Sequence, residues 1–400
     1  MSKPLIQETQ TKPEAVPYTL WQLVLYFLKL GTIGFGGPVA LAGYMFRDLV
    51  ENRRWISNDD YKDGLALSQL APGPLAAQLG FYLGYVHYGV LGSTLVAIAF
   101  VMPSFFMVVA LGWAYQQFGG LSWMQAVFYA VGSTVIGIIA FSAYKLTSKT
   151  IGKDKVLWSI FLVTAVYTAW SETEEVLLIL GSGVLYWLIK SPPKWPGKAN
   201  LSLFGMSAES ATYVANGTVS AAGSGTLWEI FLFFAKAGAF VFGSGIAIVP
   251  FLFSGVVKEH QWLTDHQFLD AVAVAMITPG PVVITTGFIG YLVAGFSGAT
   301  IAALATFLPA FLLTIIPAPF FKKYGRRPGI ADFVTGVTAA ACGAIAGAVF
   351  VLGKRSIIDI PTLLFALITL FLLWKVKKAS EPVIVLGAAI LGLIVYPLTH

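Results

Sequence analysis

Residues 27–38 read FLKLGTIGFGGP, a lysine, four glycines and a proline set inside an apolar run. An uninterrupted helix has no use for that cluster, because glycine weakens a helix interior and proline removes a donor and clashes. One helix is expected to stop here and another to restart at Pro38. Proline suits the first position of a restarted helix, where its missing N–H would have had no partner. The amides that follow then point out of the positive end of a helix dipole, which is a ready seat for an anion. The competing reading is a proline kink used only for packing.

The pattern returns once. At a constant offset of 207, residues 27–81 match 234–288 identically at 16 of 55 positions without a gap. Lys29 pairs with Lys236, Gly31 with Gly238, Trp55 with Trp262, Asp63 with Asp270, and Pro72-Gly73-Pro74 with Pro279-Gly280-Pro281. Shared membrane composition inflates matches in Gly, Ala and Phe, but it does not place a lysine, a tryptophan, an aspartate and a Pro-Gly-Pro in one register. The chain therefore reads as a polar tail (1–17), a first repeat (18–190), a linker rich in Pro, Gly, Ser and Ala (191–226) and a second repeat (227–400).

Composition fixes the solvent. Hydrophobic residues make up 57% of the chain and charged ones 11%, against about 25% charged in a soluble domain, which excludes a single water-soluble core. The apolar runs are long and do not alternate, so outer-membrane strands are excluded as well. The expected fold is an all-α polytopic protein of the inner (cytoplasmic) membrane, with the lipid bilayer as its partner. Although the net charge is +6, the Lys and Arg residues stand in short loops beside apolar spans, which points to membrane orientation rather than nucleic acid. Cys342 alone builds neither a disulfide nor a Cys-based metal site, the four histidines form no ligand pattern, and no Gly-x4-Gly-Lys phosphate loop occurs. No metal or cofactor is expected.

Duplicated halves with Gly- and Pro-interrupted segments in matching places are a signature of secondary transporters. About five spans per half, with one broken segment dipping in and out of one face, would leave the two halves inverted. Under that reading Arg47, Arg53, Arg54 and Lys62 share one side with the lysines of 145–155 and 190–198 and the basic clusters of 322–327 and 375–378. The uncharged 118–124 loop and the acidic turn from Glu172 to Glu175 fall opposite, while Lys354, Arg355 and the tail's Lys3 and Lys12 disagree. A homodimer stays open as an expectation.

The expected substrate contacts are Lys29, Gly34, Gly36 and Gly37 at the first break and Pro72, Gly73 and Pro74 at the second. Their counterparts are Lys236, Gly243, Pro279, Gly280 and Pro281. A lysine near the bilayer centre costs about 2.5–3.5 kcal/mol on insertion scales, so it usually faces a cavity or a partner. Snorkelling to the interface along its methylene stem is the plainer alternative. Arg54, Asp63 and Asp270 are read as loop anchors or coupling groups. No carboxylate pair and no Ser, His and Asp group lies within the spans, so an intramembrane enzyme lacks its machinery.

With these motifs the chain resembles the chromate ion transporter (CHR) family in its long, two-repeat form. The resemblance rests on FLKLGTIGFGGP (27–38), ENRRWIS (51–57) and ALSQLAPGPLAAQLGFYLGY (66–85), with degenerate copies in FFAKAGAFVFGSG (233–245) and AVAVAMITPGPVVITTGFIGY (271–291). It implies two antiparallel repeats and chromate efflux giving resistance, with sulfate as a related substrate or competitor. An uptake system for sulfate or another oxyanion would carry a similar site. The second copy departs where Gly37-Pro38 becomes Ser244-Gly245 and Arg53-Arg54 becomes His260-Gln261.

Overall fold

A computed structural model describes residues 17–35, 37–118, 121–173, 175–192, 224–241, 245–324, 328–376 and 381–399, and all regular structure among them is helical. The first repeat opens with α1 (Leu20–Ile33), whose capping box pairs the Thr19 and Gln22 side chains with each other's backbone N–H. It stops at Gly34. The chain restarts as α2 (Gly37–Met45), passes into a π-helical segment (Phe46–Asn52), and enters α3 (Asn58–Leu70) behind the Ser57 cap. After Pro72-Gly73-Pro74 comes α4 (Leu75–Phe118), bent at Gly89, whose φ of 60° only glycine adopts without strain.

The second repeat retraces this path. It runs through α8 (Ser224–Ala239), α9 (Ile248–Phe253), a π-helical segment (Ser254–Glu259), α10 (Asp265–Ile277) and α11 (Thr285–Ile315), the last bent at Gly295, again with φ of 60°. Even the left-handed residue before each tryptophan recurs, Arg54 with φ 56° and Gln261 with φ 52°. Each half then closes with a long helix and a shorter pair. These are α5 (Ser122–Thr150), α6 (Lys155–Ser171) and α7 (Val176–Lys190), then α13 (Pro328–Ser356), α14 (Ile360–Lys375) and α15 (Glu381–Thr399), with a short α12 (Ala318–Tyr324) between α11 and α13.

Contacts at the helix ends sort the chain into two sets. Tyr18 stacks on Trp55 with ring centroids 5.0 Å apart and lies against His87 and Tyr88. The start of α1, the loop before α3 and the end of the first segment of α4 therefore meet at one end of the bundle. Both interrupted pairs, α1 with α2 and α3 with the first segment of α4, are thus hairpins that turn back on themselves. The sequence reading allows for one such dip per half, and the first half holds two. A Pro-Gly-Pro break announces an interruption but not the direction in which the chain leaves it. At the opposite end, Glu172 accepts from Lys258 at 2.5 Å and from Arg355 at 2.5 Å, and Arg355 also binds Asp265. The α6–α7 turn, the end of α13 and the start of α10 meet there.

The halves exchange their closing helices. α5 packs on α14 and α15 of the second repeat, while α13 packs on α6 and α7 of the first. Small residues allow it, since lipid gives no hydrophobic drive between helices and close backbone contact must supply the attraction. A Cβ on Gly343 would fall 2.4 Å from the Phe161 carbonyl oxygen, and one on Gly347 2.6 Å from that of Ala165. In the other exchange, Gly137 meets the Ala366 carbonyl and Gly392 that of Ala126. Exposed side chains such as Trp170, Leu177, Leu304 and Trp374 give the outside of the bundle the apolar coat that lipid requires. By length and composition, five helical stretches among the described residues are able to cross a membrane, Leu75–Phe118, Ser122–Thr150, Val282–Phe321, Pro328–Ser356 and Glu381–Thr399.

Candidate functional site

The four breaks meet at the centre and bond across the repeats. Gly280 N–H donates to the Gly34 carbonyl at 2.9 Å, and Gly73 N–H donates to the Val241 carbonyl at 2.5 Å. Each Pro-Gly-Pro turn therefore closes the open carbonyl end of the other half's first helix, satisfying backbone groups that lipid could not. Glycine is required in both turns by backbone angle, φ 141° at Gly73 and 92° at Gly280. It is required by space as well, for a Cβ at Gly73 would sit 2.7 Å from Ala310 Cβ and one at Gly280 2.1 Å from Ser104 Oγ. Pro72 is pinned from behind by the fully buried Gln78, whose Nε2 donates to its carbonyl at 2.8 Å. Pro74 and Pro281 stand one residue ahead of their helical segments and Pro38 one residue inside α2.

Two cavities flank this centre. One, of about 460 Å³, opens at the end that holds Trp55 and reaches the restarts themselves, being lined by Gly37, Pro38, Leu75 and Val282. Lys145 and Lys149, four residues apart on one face of α5, line the same cavity with Glu381 and the hydroxyls of Ser142, Thr335 and Thr338. The second, of about 410 Å³, lies toward the end that holds Glu172 and is lined by Tyr115, Tyr129, Asp270 and Arg355, with no lining residue from a break among the described residues. The cavities are copies of each other. Lys149 and Arg355, Thr150 and Ser356, Thr335 and Tyr129, and Thr338 and Gly132 each stand 206 residues apart and occupy matching walls.

The copies differ in how they are closed. At the Glu172 end, Arg355 ties α13 to the α6–α7 turn and to α10, Tyr115 binds Asp270 at 2.7 Å, and Tyr129 binds Asp359. Lys258, and after it Arg355, holds the Glu172 carboxyl below its ordinary range. A carboxyl lowered in this way keeps its ion pair above the ordinary carboxylate range and loses it only as pH falls through the lowered value. At the other end Lys149, the counterpart of Arg355, forms no ion pair with a described residue. Replacing Arg355 with alanine is accordingly expected to unlatch the closed end. A cysteine at Gln125 should then react with a membrane-impermeant thiol reagent several times faster than in the parent at neutral pH, and an unchanged rate would show that Arg355 is not the latch.

The remaining sequence-predicted residues are spread more widely. Gly34 ends α1 and offers its carbonyl to Gly280, Gly37 opens α2 on the cavity wall, and Pro279 and Pro281 frame the second turn. Gly36 and Gly243 lie outside the described residues. Lys29 and Lys236 line neither cavity. Both are exposed on the outward faces of α1 and α8, in stripes with Trp21, Leu25 and Ile33 and with Trp228 and Leu232. Depth along a span does not reveal which face a residue takes, and helical side chains lean toward the N-terminus, here toward the tryptophan two turns back. Lys29→Gln and Lys236→Gln are therefore expected to leave substrate affinity within about twofold of the parent, the scale of a surface change that touches no ligand. A tenfold loss in either would return that lysine to the path. Arg54 is exposed in the loop before α3, Asp63 is half-buried on α3, and Asp270 is buried on α10. Lys145, Lys149 and Gln78 escape the sequence reading, the first two because they sit near a span end where loop charge is expected.

An all-helical bundle with duplicated, interrupted helices meeting at a central seat, and a cavity reaching that seat, defines a membrane transporter. The chain matches the family described as "Chromate transporter" twice, over residues 21–187 and 228–393, and belongs to it. It is 64% identical over 386 residues to the "Chromate transport protein" of Cupriavidus metallidurans, covering 96% of each chain. It is 63% identical over 379 residues to the "Probable chromate transport protein" of Synechococcus elongatus, covering 94% of this chain and 96% of that one. A "Chromate transport protein" of Pseudomonas aeruginosa is 31% identical over 404 residues, with 97% and 96% covered. No solved structure matches the chain.

Proposed function

We propose that this protein exports chromate across the cytoplasmic membrane by alternating access, giving resistance to it. The observation that carries the proposal is the cavity in which Lys145 and Lys149 stand over the N-terminal restarts of broken helices from both halves. A tetrahedral dianion needs positive charge and several donors, and half-helix ends with two ammonium groups supply both without a catalytic acid. Lys29 and Lys236, facing outward, serve as anchors on the outside of the bundle rather than as its positive lining.

The repeats are inverted in this reading. The hairpins of the first half enter from the end that holds Trp55 and those of the second from the end that holds Glu172. Arg53, Arg54, Lys145, Lys149, Lys153, Lys155 and Lys190 gather at the first end, which the positive-inside rule makes cytoplasmic. The open cavity then faces the cytoplasm and the latched one faces out, an inward-facing state ready to load. Expelling a dianion from a negative interior gains about 4.6 kcal/mol per 100 mV, at about 2.3 per charge, so the membrane potential suffices as a driving force.

Counterflow in proteoliposomes tests the substrate. Vesicles preloaded with chromate should accumulate labelled chromate from outside, and sulfate should compete through its like charge and shape. Labelled sulfate moving while chromate neither moves nor competes would replace the proposal with a sulfate carrier.

A further inference from the structure

The cytoplasmic cavity holds one group for which an anion site has no plain use. Glu381, half-buried at the first position of α15, lines it together with Lys145 and Lys149 of α5. Lys145 is within electrostatic reach of the Glu381 carboxyl but forms no ion pair with a described residue. An acid at the start of a helix suits its positive end, yet a carboxylate turned away from the cavity would serve that duty equally. The other charged groups on the helices packed against α15 are Lys375, which ends α14, and Asp265, His266 and Asp270 of α10, which belong to the opposite end. From α3 and α13 this wall receives Gln69 and the hydroxyls of Thr335 and Thr338, while Asp332 of α13 is bound by Ser191. Among the described lining residues, the two lysines and Glu381 leave a single net positive charge.

A carboxylate accepts hydrogen bonds and donates none. To a bare tetrahedral dianion it is a like charge and nothing else. To an oxyanion that still carries a proton it is a partner, because the O–H donates to the carboxylate while the other oxygens take the ammonium groups and hydroxyls. Resting on the oxyanion site proposed above, we infer that Glu381 reads the proton of the substrate and makes the cavity selective for proton-bearing tetrahedral oxyanions over fully ionised ones. Hydrogen chromate, which forms close to neutral pH, is such an anion. Sulfate, which takes a proton only in strong acid, is not, and the like charge of Glu381 acts against it. The net charge of the wall matches hydrogen chromate, with Lys145 and Lys149 serving its unprotonated oxygens and Glu381 its O–H. No proton is transferred, since the anion carries its own. It leaves with one negative charge instead of two, and a negative interior still expels it.

The test is competition against labelled chromate on the full chain purified in detergent, with phosphate and sulfate as competitors at one mildly alkaline pH. Both are then tetrahedral dianions, and only phosphate carries a proton. Phosphate should displace chromate about tenfold more effectively than sulfate, the worth of one hydrogen bond to a charged group at an open wall. Glu381→Gln should bring the two within about twofold of each other, chiefly by tightening sulfate, since an amide donates to bare oxygens and carries no charge to repel them. Chromate, a dianion at that pH, should tighten along with sulfate. As the pH is lowered through neutrality, the parent's affinity for chromate should rise relative to its affinity for sulfate, and in Glu381→Gln that ratio should not rise. Sulfate displacing chromate as well as phosphate does in the parent, or a parental ratio that ignores pH, overturns the inference whether or not the variant folds. So does a phosphate preference that survives intact in Glu381→Gln, which would leave the carboxylate as a counter-ion of Lys145 or a helix-start acid. A parent that binds no labelled chromate fails the oxyanion site itself.

Discussion

Transport is expected to be lost when valine replaces Gly73 or Gly280, with the protein still inserted and folded in the membrane. At both positions the backbone has a positive φ, and a Cβ would collide, at 2.7 Å with Ala310 Cβ or at 2.1 Å with Ser104 Oγ. Strained backbone of this kind costs about 1–3 kcal/mol, and the cross-repeat hydrogen bond that each glycine N–H makes is worth about 1 kcal/mol more. The sum depopulates the assembled centre on the order of a hundredfold. The helices themselves are held elsewhere, by the exchange of α5 and α13 with the closing helix pairs, so insertion should survive. Chromate flux within a fewfold of the parent in Gly73→Val would show that the two turns are packing devices.

The second large effect belongs to Lys145 and Lys149. Hydrogen bonds to charged groups are worth about 1.5–3 kcal/mol, and both lysines are exposed at a cavity wall where water screens them, so the lower figure applies. Lys145→Gln and Lys149→Gln should each weaken chromate binding about tenfold, the double variant more, and the parent's affinity should fall with added salt while the double variant's changes little. Glu381 on the same wall opposes the anion, so Glu381→Gln should tighten binding. Titration of binding to detergent-purified protein reads all four. Parental affinity in the double variant would move the cation site elsewhere.

Much of the fold is legible in the sequence because glycine and proline are costly inside helices and must be there for a reason. The clusters at Gly31–Pro38 and Pro72–Pro74 mark the breaks, and the repeat offset of 207 brings their copies into register from residue identities alone. What the sequence withholds is direction and facing. Nothing in Pro-Gly-Pro says that α4 returns to the end from which α3 came. Nothing in the position of Lys29 says that it faces outward beside Leu25 rather than inward beside Leu30. Lys145 and Lys149 sit within the last two turns of α5 and read as loop charge, yet α13 and α15 of the other half fold over them into a cavity. Asp270 is legible as repeated, but its Tyr115 partner lies 155 residues away, and a tyrosine in an aromatic-rich chain carries no signal of its own.

Potential-driven flux in inside-out membrane vesicles bears most directly on chromate export through the cytoplasmic cavity. With a potential imposed positive inside, vesicles carrying this protein should accumulate labelled chromate, and the accumulation should rise with the potential. It should fall to the level of protein-free vesicles in the Lys145→Gln, Lys149→Gln double variant at matched expression. Chromate accumulation that is absent, that ignores the potential, or that persists undiminished in the double variant would contradict the account.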